Sequence, residues 1–273
     1  MDNNLRIKVE KLMKDLMTSV VLITGASSGF GTEFSRIFAS KGKNLLIIAR
    51  SEDKLLKLKE SLEKKYNIKV YVFAQDLAKA DSAKRVSEYV KANNLMVEIL
   101  INNAGFGDYG RFADSDISKQ TQMINLNDRS LVEMTHAFLP AMIKRGRGRI
   151  LNVASIASFE PGPMMSVYYA SKAFVLSFTE SLSEELKGTG VTITALCPGP
   201  TDTGFSDAAE MPAGRFANIF RFTKPVDVAR AGYKALMAGQ VIIVPGVLNR
   251  LATIAVKLLP RAFVRKVVYV FQR

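Results

Sequence analysis

A glycine-rich turn between a strand-like run and a helical pattern constrains the fold more than any other feature of this chain. The run Ser19–Thr24 is apolar and β-branched, which is typical of a buried strand, and it leads into TGASSGFG at 24–31. Beyond Gly31, apolar residues recur with helical period. Strand, glycine turn and helix together are typical of a dinucleotide-binding site, since glycines admit a pyrophosphate and a helix N-terminus attracts it. The pattern predicts cofactor contacts at Gly25, Ser27, Ser28, Gly29, Phe30 and Gly31.

The other apolar runs predict a parallel sheet. They lie at 44–49, 69–74, 97–101, 149–154, 191–197 and 240–244, with helical patterns between most of them. Because these runs are continuously apolar rather than alternating, both faces of the sheet should be covered. With 273 residues and 48% apolar content, the chain can bury one full core. We expect an α/β, doubly wound Rossmann fold with a seven-stranded parallel sheet in a single domain at 19–245, a helical N-terminal extension at 1–18 and a helical tail at 246–273.

The residue after the second predicted strand bears on the choice of cofactor. That strand, Asn44–Ala49, is followed by Arg50 where an acidic residue would bind the ribose hydroxyls of NAD. An arginine can instead pair with the 2′-phosphate of NADP. NADP(H) is therefore favoured over NAD(H). The alternative is that Arg50 is an ordinary solvated loop residue.

Three residues in the second half of the chain indicate acid–base chemistry. Tyr168 and Lys172 lie four residues apart in a predicted helix, and Ser155 ends a predicted strand thirteen residues before the tyrosine. A lysine one turn away favours the ionised phenol, so Tyr168 could exchange a proton with a carbonyl oxygen during hydride transfer. Ser155 could hydrogen-bond the same oxygen. The alternative is an amphipathic helix with a surface Tyr–Lys pair.

In this order, the motifs resemble the classical short-chain dehydrogenase/reductase family over about residues 19–245. The motifs are TGASSGFG, Asp76-Leu77, Asn102-Asn103-Ala104-Gly105, Asn125, Ser155, Tyr168-x-x-x-Lys172, and Pro198-Gly199 with Thr203. Two stretches, Asn-Asn-Ala-Gly-Phe-Gly-Asp and Val-Pro-Gly-Val-Leu-Asn, resemble the DltE-type bacterial oxidoreductases. The resemblance implies a cytoplasmic enzyme that forms a homodimer or homotetramer through the helix of Tyr168 and the helix before it.

The resemblance also implies roles for matching positions. Lys172 would bind the nicotinamide ribose, and Asn125 would hold a water in a proton relay beneath that lysine. With Ser155 and Tyr168 they would form the catalytic set. Further cofactor contacts are implied at Tyr168, Asp76, Leu77, Asn103, Ala104, Gly105, Pro198, Gly199, Thr201 and Thr203.

The substrate is the least specified partner. Candidate contacts are Phe106, Phe159, Met165 and Phe205, which would make an apolar, adaptable pocket, although core packing would explain them nearly as well. The long segment Pro200–Phe222 is predicted to be a substrate lid. We expect an NADP(H)-dependent oxidoreductase that interconverts a carbonyl compound and a secondary alcohol of apolar character or medium size. The alternative is a non-catalytic NADP-binding sensor or scaffold, which would need neither Ser155 nor Tyr168.

Charge and composition limit the remaining partners. The net charge of +13 is spread along the chain without a recognised nucleic-acid module, so no nucleic-acid partner is expected. Val247–Leu259 and Ala262–Phe271 are predicted to be basic amphipathic helices that pack on the domain or, less favoured, contact a membrane peripherally. His136 is the sole histidine, so no metal site is predicted, and Cys197, the sole cysteine, is expected to be a small buried hydrophobe. One cysteine excludes an intramolecular disulfide, which fits a reducing compartment.

Overall fold

One parallel sheet organises the molecule. The computed structural model describes residues 17–205, 209 and 223–272. The strands of the sheet are β1 Thr18–Thr24, β2 Asn44–Ala49, β3 Val70–Ala74, β4 Leu95–Asn102, β5 Gly148–Val153, β6 Val191–Leu196 and β7 Ile242–Ile243. They lie in the order β3-β2-β1-β4-β5-β6-β7, and every neighbouring pair is parallel. The predicted doubly wound, seven-stranded Rossmann sheet is confirmed.

Helices cover both faces of this sheet, as the continuous apolarity of its strands requires. They are α1 Gly29–Ser40, α2 Glu52–Lys65, α3 Ser82–Ala92, α4 Ile117–Ile124, α5 Ser130–Arg145, α6 Ser166–Glu185 and α7 Pro225–Ala238. One core cluster contains Phe34 and Phe38 of α1, and another contains Met134 and Phe138 of α5. The central strands are therefore shielded from water on each side.

The strand order places a crevice at the carboxyl ends of β1 and β4. Chain connections leave these neighbouring strands toward opposite sides, and ligands of doubly wound sheets bind at such a reversal. The chain leaves β1 at Thr24, β4 at Asn102 and β5 at Val153. The glycine turn, the segment that begins at Asn103 and the segment that contains Ser155 therefore meet along the carboxyl edge of the sheet.

Two helices follow the sheet, α8 Val247–Leu258 and α9 Arg261–Gln272, and they confirm the predicted helical tail. Val264 and Val268 of α9 are buried against Met165 and Tyr169, so the tail packs on the domain. No helix within the described ranges has both the length and the apolarity needed to cross a membrane. The predicted N-terminal helix Leu5–Met17, apart from Met17, and most of the predicted lid, 206–208 and 210–222, lie outside the described residues.

Candidate active site

The glycine turn joins β1 directly to the N-terminus of α1. Gly29 is the first residue of α1, and the preceding Ser28 makes no side-chain capping hydrogen bond. A helix N-terminus without such a cap keeps backbone N–H groups available for an anion. Gly31 allows α1 to pack closely against the glycine turn, because a Cβ atom at this position would lie 2.2 Å from the carbonyl oxygen of Gly25. The observed turn therefore fits a pyrophosphate group.

Asn103 holds the glycine turn in place from the neighbouring strand. Its Nδ2 donates to the carbonyl oxygens of Thr24, at 2.9 Å, and Gly25, at 3.1 Å. The Thr24 hydroxyl oxygen in turn accepts from the backbone N–H groups of Asn103 and Ala104, at 2.9 and 3.0 Å. The two sides of the crevice are thus fixed relative to each other before any ligand binds.

We expect Gly31→Ala to lower dinucleotide affinity at least about tenfold and the free energy of unfolding by roughly 1–3 kcal/mol, since the added methyl group must displace α1 from the turn. Cofactor fluorescence titration and thermal unfolding measure the two effects. Gly42→Ala is the control, because Gly42 has a φ of +70° but no atom within 4 Å of the added Cβ. Gly42→Ala should lower the free energy of unfolding without changing the affinity for the dinucleotide. Equal cofactor affinity in both variants would contradict the role of Gly31.

Most of the predicted cofactor and catalytic residues line one cavity of about 630 Å³. The predicted cofactor residues that line it are Gly25, Ser27, Ser28, Gly29, Phe30, Arg50, Asp76, Leu77, Asn103, Ala104, Gly105, Tyr168, Lys172, Pro198, Gly199, Thr201 and Thr203. Gly31 lies behind the lining, packed against the turn. Gln75 and Ser51 line the same cavity and were not identified from the sequence.

Arg50 is exposed at the end of the cavity formed by β2 and β3. It makes no ion pair within the described part of the chain, so its guanidinium remains available to an anion. Asp76 is turned toward its own backbone, where its Oδ1 accepts from the N–H of Ala78 at 3.0 Å. The carboxylate of Asp76 is therefore already hydrogen-bonded within its own turn. Arg50 is the cation at this end of the cavity that could bind a phosphate.

Ser155, Tyr168 and Lys172 come together at the other end of the cavity. Ser155 follows β5 and lies within hydrogen-bonding contact of the Tyr168 hydroxyl. Lys172 is buried, lies one helical turn beyond Tyr168 on α6, and places its Nζ 5.8 Å from the centre of the Tyr168 ring. That Nζ donates to the carbonyl oxygen of Val153 at 2.9 Å. The lysine therefore links the tyrosine helix to the end of β5.

Burial dominates the acidity of the phenol. It raises the pKa of Tyr168 to about 12, and the hydrogen bond with Ser155 opposes this shift without cancelling it. The net shift of this pKa is therefore upward, opposite in direction to the shift expected from the neighbouring Lys172. Burial also lowers the pKa of Lys172 to about 8, against the attraction of Asp128. At neutral pH the tyrosine keeps its proton and the lysine keeps its charge.

A chain of buried amides and hydroxyls fixes the strands beneath the site. Asn102 of β4 donates through Nδ2 to the Oδ1 of Asn152, at 2.9 Å, and to the hydroxyl of Thr135, at 3.0 Å. Asn152 of β5 donates in turn to the hydroxyl of Thr179 on α6, at 2.9 Å. All four residues are buried. The network ties β4 and β5 to the helices behind them, so the catalytic side chains project from a rigid base.

A second asparagine, two residues beyond the predicted Asn125, lies near Lys172 in the structure. Asn125 directly follows α4 and is partly buried. Asn127, two residues later, is buried in a π-helical turn that spans Asn125–Arg129. Its Nδ2 donates to the carbonyl oxygen of Phe106 at 3.0 Å, and its Oδ1 accepts from the N–H of Phe106 at 3.1 Å. A Cβ atom on Gly105 would lie 2.9 Å from this Oδ1 and 3.5 Å from the Nζ of Lys172. Asn127 thus lies close to the lysine, and the role implied for Asn125 remains a prediction.

The same π turn brings a carboxylate toward the lysine. The Oδ1 of Asp128 is buried and has no hydrogen-bond partner. Burial raises the pKa of Asp128 to about 6, although the charge of Lys172 opposes this shift. The aspartate is ionised at neutral pH and helps to keep Lys172 charged. No sequence motif indicated this residue.

The substrate end of the cavity is apolar and is partly closed by α9. Phe106, Met165 and Phe205 line it as predicted, with the rings of Phe205 and Tyr168 centred 5.1 Å apart. Phe159 does not line it, which corrects the prediction. Phe159 packs against a separate core cluster. The Nζ of Lys257 lies over the Phe159 ring, 5.1 Å from the ring centre.

Gln272 of α9 contributes to this wall from the far end of the chain. It is buried, lines the cavity, and donates through Nε2 to the hydroxyl of Tyr169. The hydroxyl of Tyr109 donates to the backbone carbonyl of Gln272. Tyr169 therefore faces the same cavity as Tyr168. Its phenol is held by Gln272, whereas that of Tyr168 is held by Ser155.

The residues predicted to have no part in catalysis lie apart from the cavity lining. His136 is exposed on α5. Cys197 is fully buried directly after β6, and burial raises the pKa of its thiol to about 12, so it behaves as a small hydrophobe. Within the described residues, no group of histidine, cysteine and carboxylate side chains could hold a metal ion.

Comparison with known proteins agrees with this class of site. A sheet ordered in this way, with a glycine turn and a Ser–Tyr–Lys cluster along one edge, defines a dinucleotide-binding oxidoreductase. The family model for short chain dehydrogenases matches residues 19–212. The chain therefore belongs to the short-chain dehydrogenase/reductase family of oxidoreductases.

Individual relatives differ in substrate and cofactor. The chain is 38% identical over 192 residues to sulfoacetaldehyde reductase 2 of Chromohalobacter salexigens, covering 70% of this chain and 75% of that protein. It is similar to a short-chain dehydrogenase of Sphingobium yanoikuyae in complex with NADPH, with a TM-score of 0.78, 27% identity, and coverage of 88% and 92% of the two chains. It is equally similar to a short-chain dehydrogenase/reductase of Burkholderia phymatum in complex with NAD, with a TM-score of 0.76, 26% identity, and coverage of 89% and 92%.

Proposed function

We propose that the protein is an NADP(H)-dependent oxidoreductase that interconverts a carbonyl compound and a secondary alcohol, with Tyr168 as the acid and base. The observation that carries this proposal is the convergence of Ser155, Tyr168 and Lys172 at one end of a cavity whose other end holds Arg50. A nicotinamide bound there supplies or accepts the hydride. The remaining chemistry is the binding of one oxygen atom and the movement of one proton.

Each side chain has a separate part in that chemistry. Ser155 donates a hydrogen bond to the carbonyl oxygen of the substrate and holds it beside Tyr168. Tyr168, protonated at neutral pH, gives its proton to the same oxygen as negative charge develops there. The charged Lys172 stabilises the phenolate that remains and binds the nicotinamide ribose. Because its pKa is raised, the phenol is protonated at neutral pH, so the proton needed for carbonyl reduction is in place before the hydride is transferred.

Asn127, rather than Asn125, is proposed to support the proton relay beneath Lys172. We expect Asn127→Ala to lower turnover roughly ten- to hundredfold, because the backbone of Phe106 loses both partners and the space beside the lysine changes shape. Asn125→Ala should stay within about threefold of the parent. Turnover is measured below the melting temperature of both variants. A larger loss for Asn125→Ala would restore the assignment made from the sequence.

The pH dependence of reduction should follow the charge of Lys172. Burial lowers the pKa of this lysine to about 8, so it is protonated below that pH and loses its charge above it. We expect the rate of NADPH-driven reduction to be constant near neutrality and to fall above about pH 8. In Asp128→Asn the falling limb should move to lower pH, since the carboxylate no longer favours the charged lysine. If the pH at which the rate falls is the same in Asp128→Asn as in the parent, Asp128 does not influence the pKa of Lys172.

The preference for NADP(H) is proposed on the exposed guanidinium of Arg50 and the lack of an acid after β2. Solved relatives are bound to NADPH and to NAD, so the family alone leaves both cofactors open. A 2′-phosphate beside Arg50 would gain a charge-assisted hydrogen bond that a ribose hydroxyl cannot provide.

We propose an apolar or medium-sized substrate, supported by Phe106, Met165 and Phe205 in the cavity wall. The motifs at 102–108 and 244–249 support a place near the DltE-type bacterial oxidoreductases. A homodimer or homotetramer through α5 and α6, a cytoplasmic location and the domain limits at 18 and 245 are proposed on the family resemblance. Sedimentation analysis of the purified protein tests the subunit number.

The direct test is to titrate the purified protein with NADPH and with NADH, and then to screen ketones and aldehydes for loss of absorbance at 340 nm. We expect tighter binding of NADPH and turnover of apolar ketones. Failure of both cofactors to bind would overturn the proposal. Tighter binding of NADH would overturn the cofactor preference alone.

A further inference from the structure

The polarity of helix α8 is inverted relative to that of an ordinary surface helix. The side chains it buries include Asn249 and Thr253, which are polar. Val247, Leu251 and Leu258, spaced so that they share one side of the helix, are 76%, 57% and 81% exposed. Surface helices normally turn their apolar stripe toward the core. Folding of this chain leaves the stripe of α8 in water.

Helix α9 extends the same kind of surface. It buries Val264 and Val268 against the substrate end of the cavity and leaves Phe263 and Val270 exposed. We call the exposed apolar residues of the two helices the tail face; its members are Val247, Leu248, Leu251, Ile254, Leu258, Phe263 and Val270. Along α8 these residues form a contiguous stripe, and an exposed apolar stripe marks an interaction site more often than a random feature of a monomer.

The charged side chains that α8 and α9 themselves carry all have one sign. Exposed cations on the two helices are Arg250, Lys257, Arg261, Arg265 and Lys266. No acidic residue follows Asp227 in the sequence. Apolar side chains flanked by cations alone match a surface that is apolar within and anionic at its boundary, which is the structure of an anionic phospholipid bilayer.

A second copy of the chain fits this face less well. In a two-fold symmetric contact the same patch meets itself, so the cations of α8 and α9 in one copy would face those of the other, and neither helix carries an acid. Like charges placed opposite one another disfavour such a contact. The charge pattern therefore selects the membrane over self-association.

We propose that the tail face docks the protein peripherally on the surface of an anionic membrane. The exposed side chains of α8 and α9 enter the boundary between headgroups and acyl chains, and the flanking arginine and lysine residues contact lipid phosphates. The proposal goes beyond the reaction, because docking needs neither cofactor nor substrate. A catalytically silent protein could still bind, and an active enzyme could fail to bind.

Vesicle flotation of the intact protein tests this proposal. We expect the protein to float with vesicles of phosphatidylglycerol and phosphatidylcholine at low salt, and to float at least about tenfold less with pure phosphatidylcholine or at high salt. Protein that stays with the soluble fraction in every condition would overturn the proposal. Equal flotation with neutral and anionic vesicles would overturn the part assigned to the cations.

Paired variants locate the contact. Leu251→Glu with Leu258→Glu should lower the vesicle-bound fraction at least about tenfold, while Leu56→Glu, which alters an exposed leucine of α2, should leave it unchanged. Unaltered cofactor binding and circular dichroism establish that each variant is folded. Equal flotation of the double variant and the control would overturn the assignment to the tail face. Light scattering tests the other occupant, because loss of a dimer in the double variant, without vesicle binding by the parent, would make this face a contact between copies.

Discussion

Replacing Tyr168 by phenylalanine should lower carbonyl reduction roughly a thousandfold while leaving cofactor affinity within about threefold of the parent. The phenol is the group that gives its proton to the substrate oxygen, and general acid catalysis typically contributes about 10²–10⁴ in rate. Phenylalanine keeps the ring and its contact with Phe205, so the cavity keeps its shape. Stopped-flow or steady-state loss of NADPH absorbance measures the effect, and fluorescence titration measures the affinity.

Tyr169→Phe is the matched control for this prediction. Tyr169 is the next residue on α6, lines the same cavity and carries a hydroxyl, but that hydroxyl is bonded to Gln272 rather than to Ser155. We expect a loss of less than about tenfold, caused by a looser contact with α9. If Tyr169→Phe lost more activity than Tyr168→Phe, the acid would have been assigned to the wrong tyrosine. Unchanged turnover in Tyr168→Phe would remove the proposed acid altogether.

Replacing Arg50 by aspartate should reverse the choice of cofactor. Loss of a charge-assisted contact to the 2′-phosphate, followed by repulsion from the new carboxylate, should weaken NADPH binding roughly a hundredfold. NADH should bind equally well or up to about tenfold better, because a carboxylate can accept hydrogen bonds from the ribose hydroxyls. Parallel titrations with the two reduced cofactors measure the ratio of their dissociation constants.

The control for Arg50 must make the same change in net charge elsewhere. Lys54 is exposed in the first turn of α2 and does not line the cavity, so Lys54→Asp alters the charge without altering the cofactor contacts. We expect it to weaken NADPH binding less than about threefold. Equal effects of the two variants would mean that Arg50 acts through long-range charge and not through contact with the phosphate.

Local patterns in the sequence predicted the sheet because each strand is encoded by its own continuous apolar run. The run 44–49 has the same bounds as β2, whereas β4 extends beyond its predicted core of 97–101 to Leu95–Asn102. The edge strand departs most, since 240–244 was predicted and only Ile242–Ile243 pairs with β6. An edge strand has one neighbour, so less of its apolar run is drawn into the ladder.

The candidate site could be predicted where its residues are close in sequence or belong to a motif. Tyr168 and Lys172 are one helical turn apart, so their shared direction follows from helix geometry. Asn127 could not be distinguished from Asn125 in this way, because a π turn alters the direction of side chains relative to a regular α-helix. The sequence favoured Asn125 by motif alone.

Long-range contacts account for the other omissions. Gln272 reaches the cavity from α9, and its bond to Tyr169 joins residues 103 positions apart. Asn102 and Asn152 face each other across two strands whose sequences are mostly apolar. Nothing in the local pattern of either segment indicates its partner. Phe159 was misplaced for the same reason, since its proximity to a catalytic motif in sequence does not determine which cluster it joins.

Cys197 gives the molecule a native reporter of its own fluctuations. It is the sole thiol of the chain, fully buried between the end of β6 and the Pro198-Gly199 turn, and its backbone N–H bonds the carbonyl oxygen of Ile243 at 2.8 Å. Its pKa, raised to about 12, keeps it unreactive while the strand end is closed. A thiol reagent can therefore react only during transient opening of that end of the sheet. The rate at which such a reagent labels Cys197 therefore measures how often the floor of the cavity opens, and no engineered probe is needed.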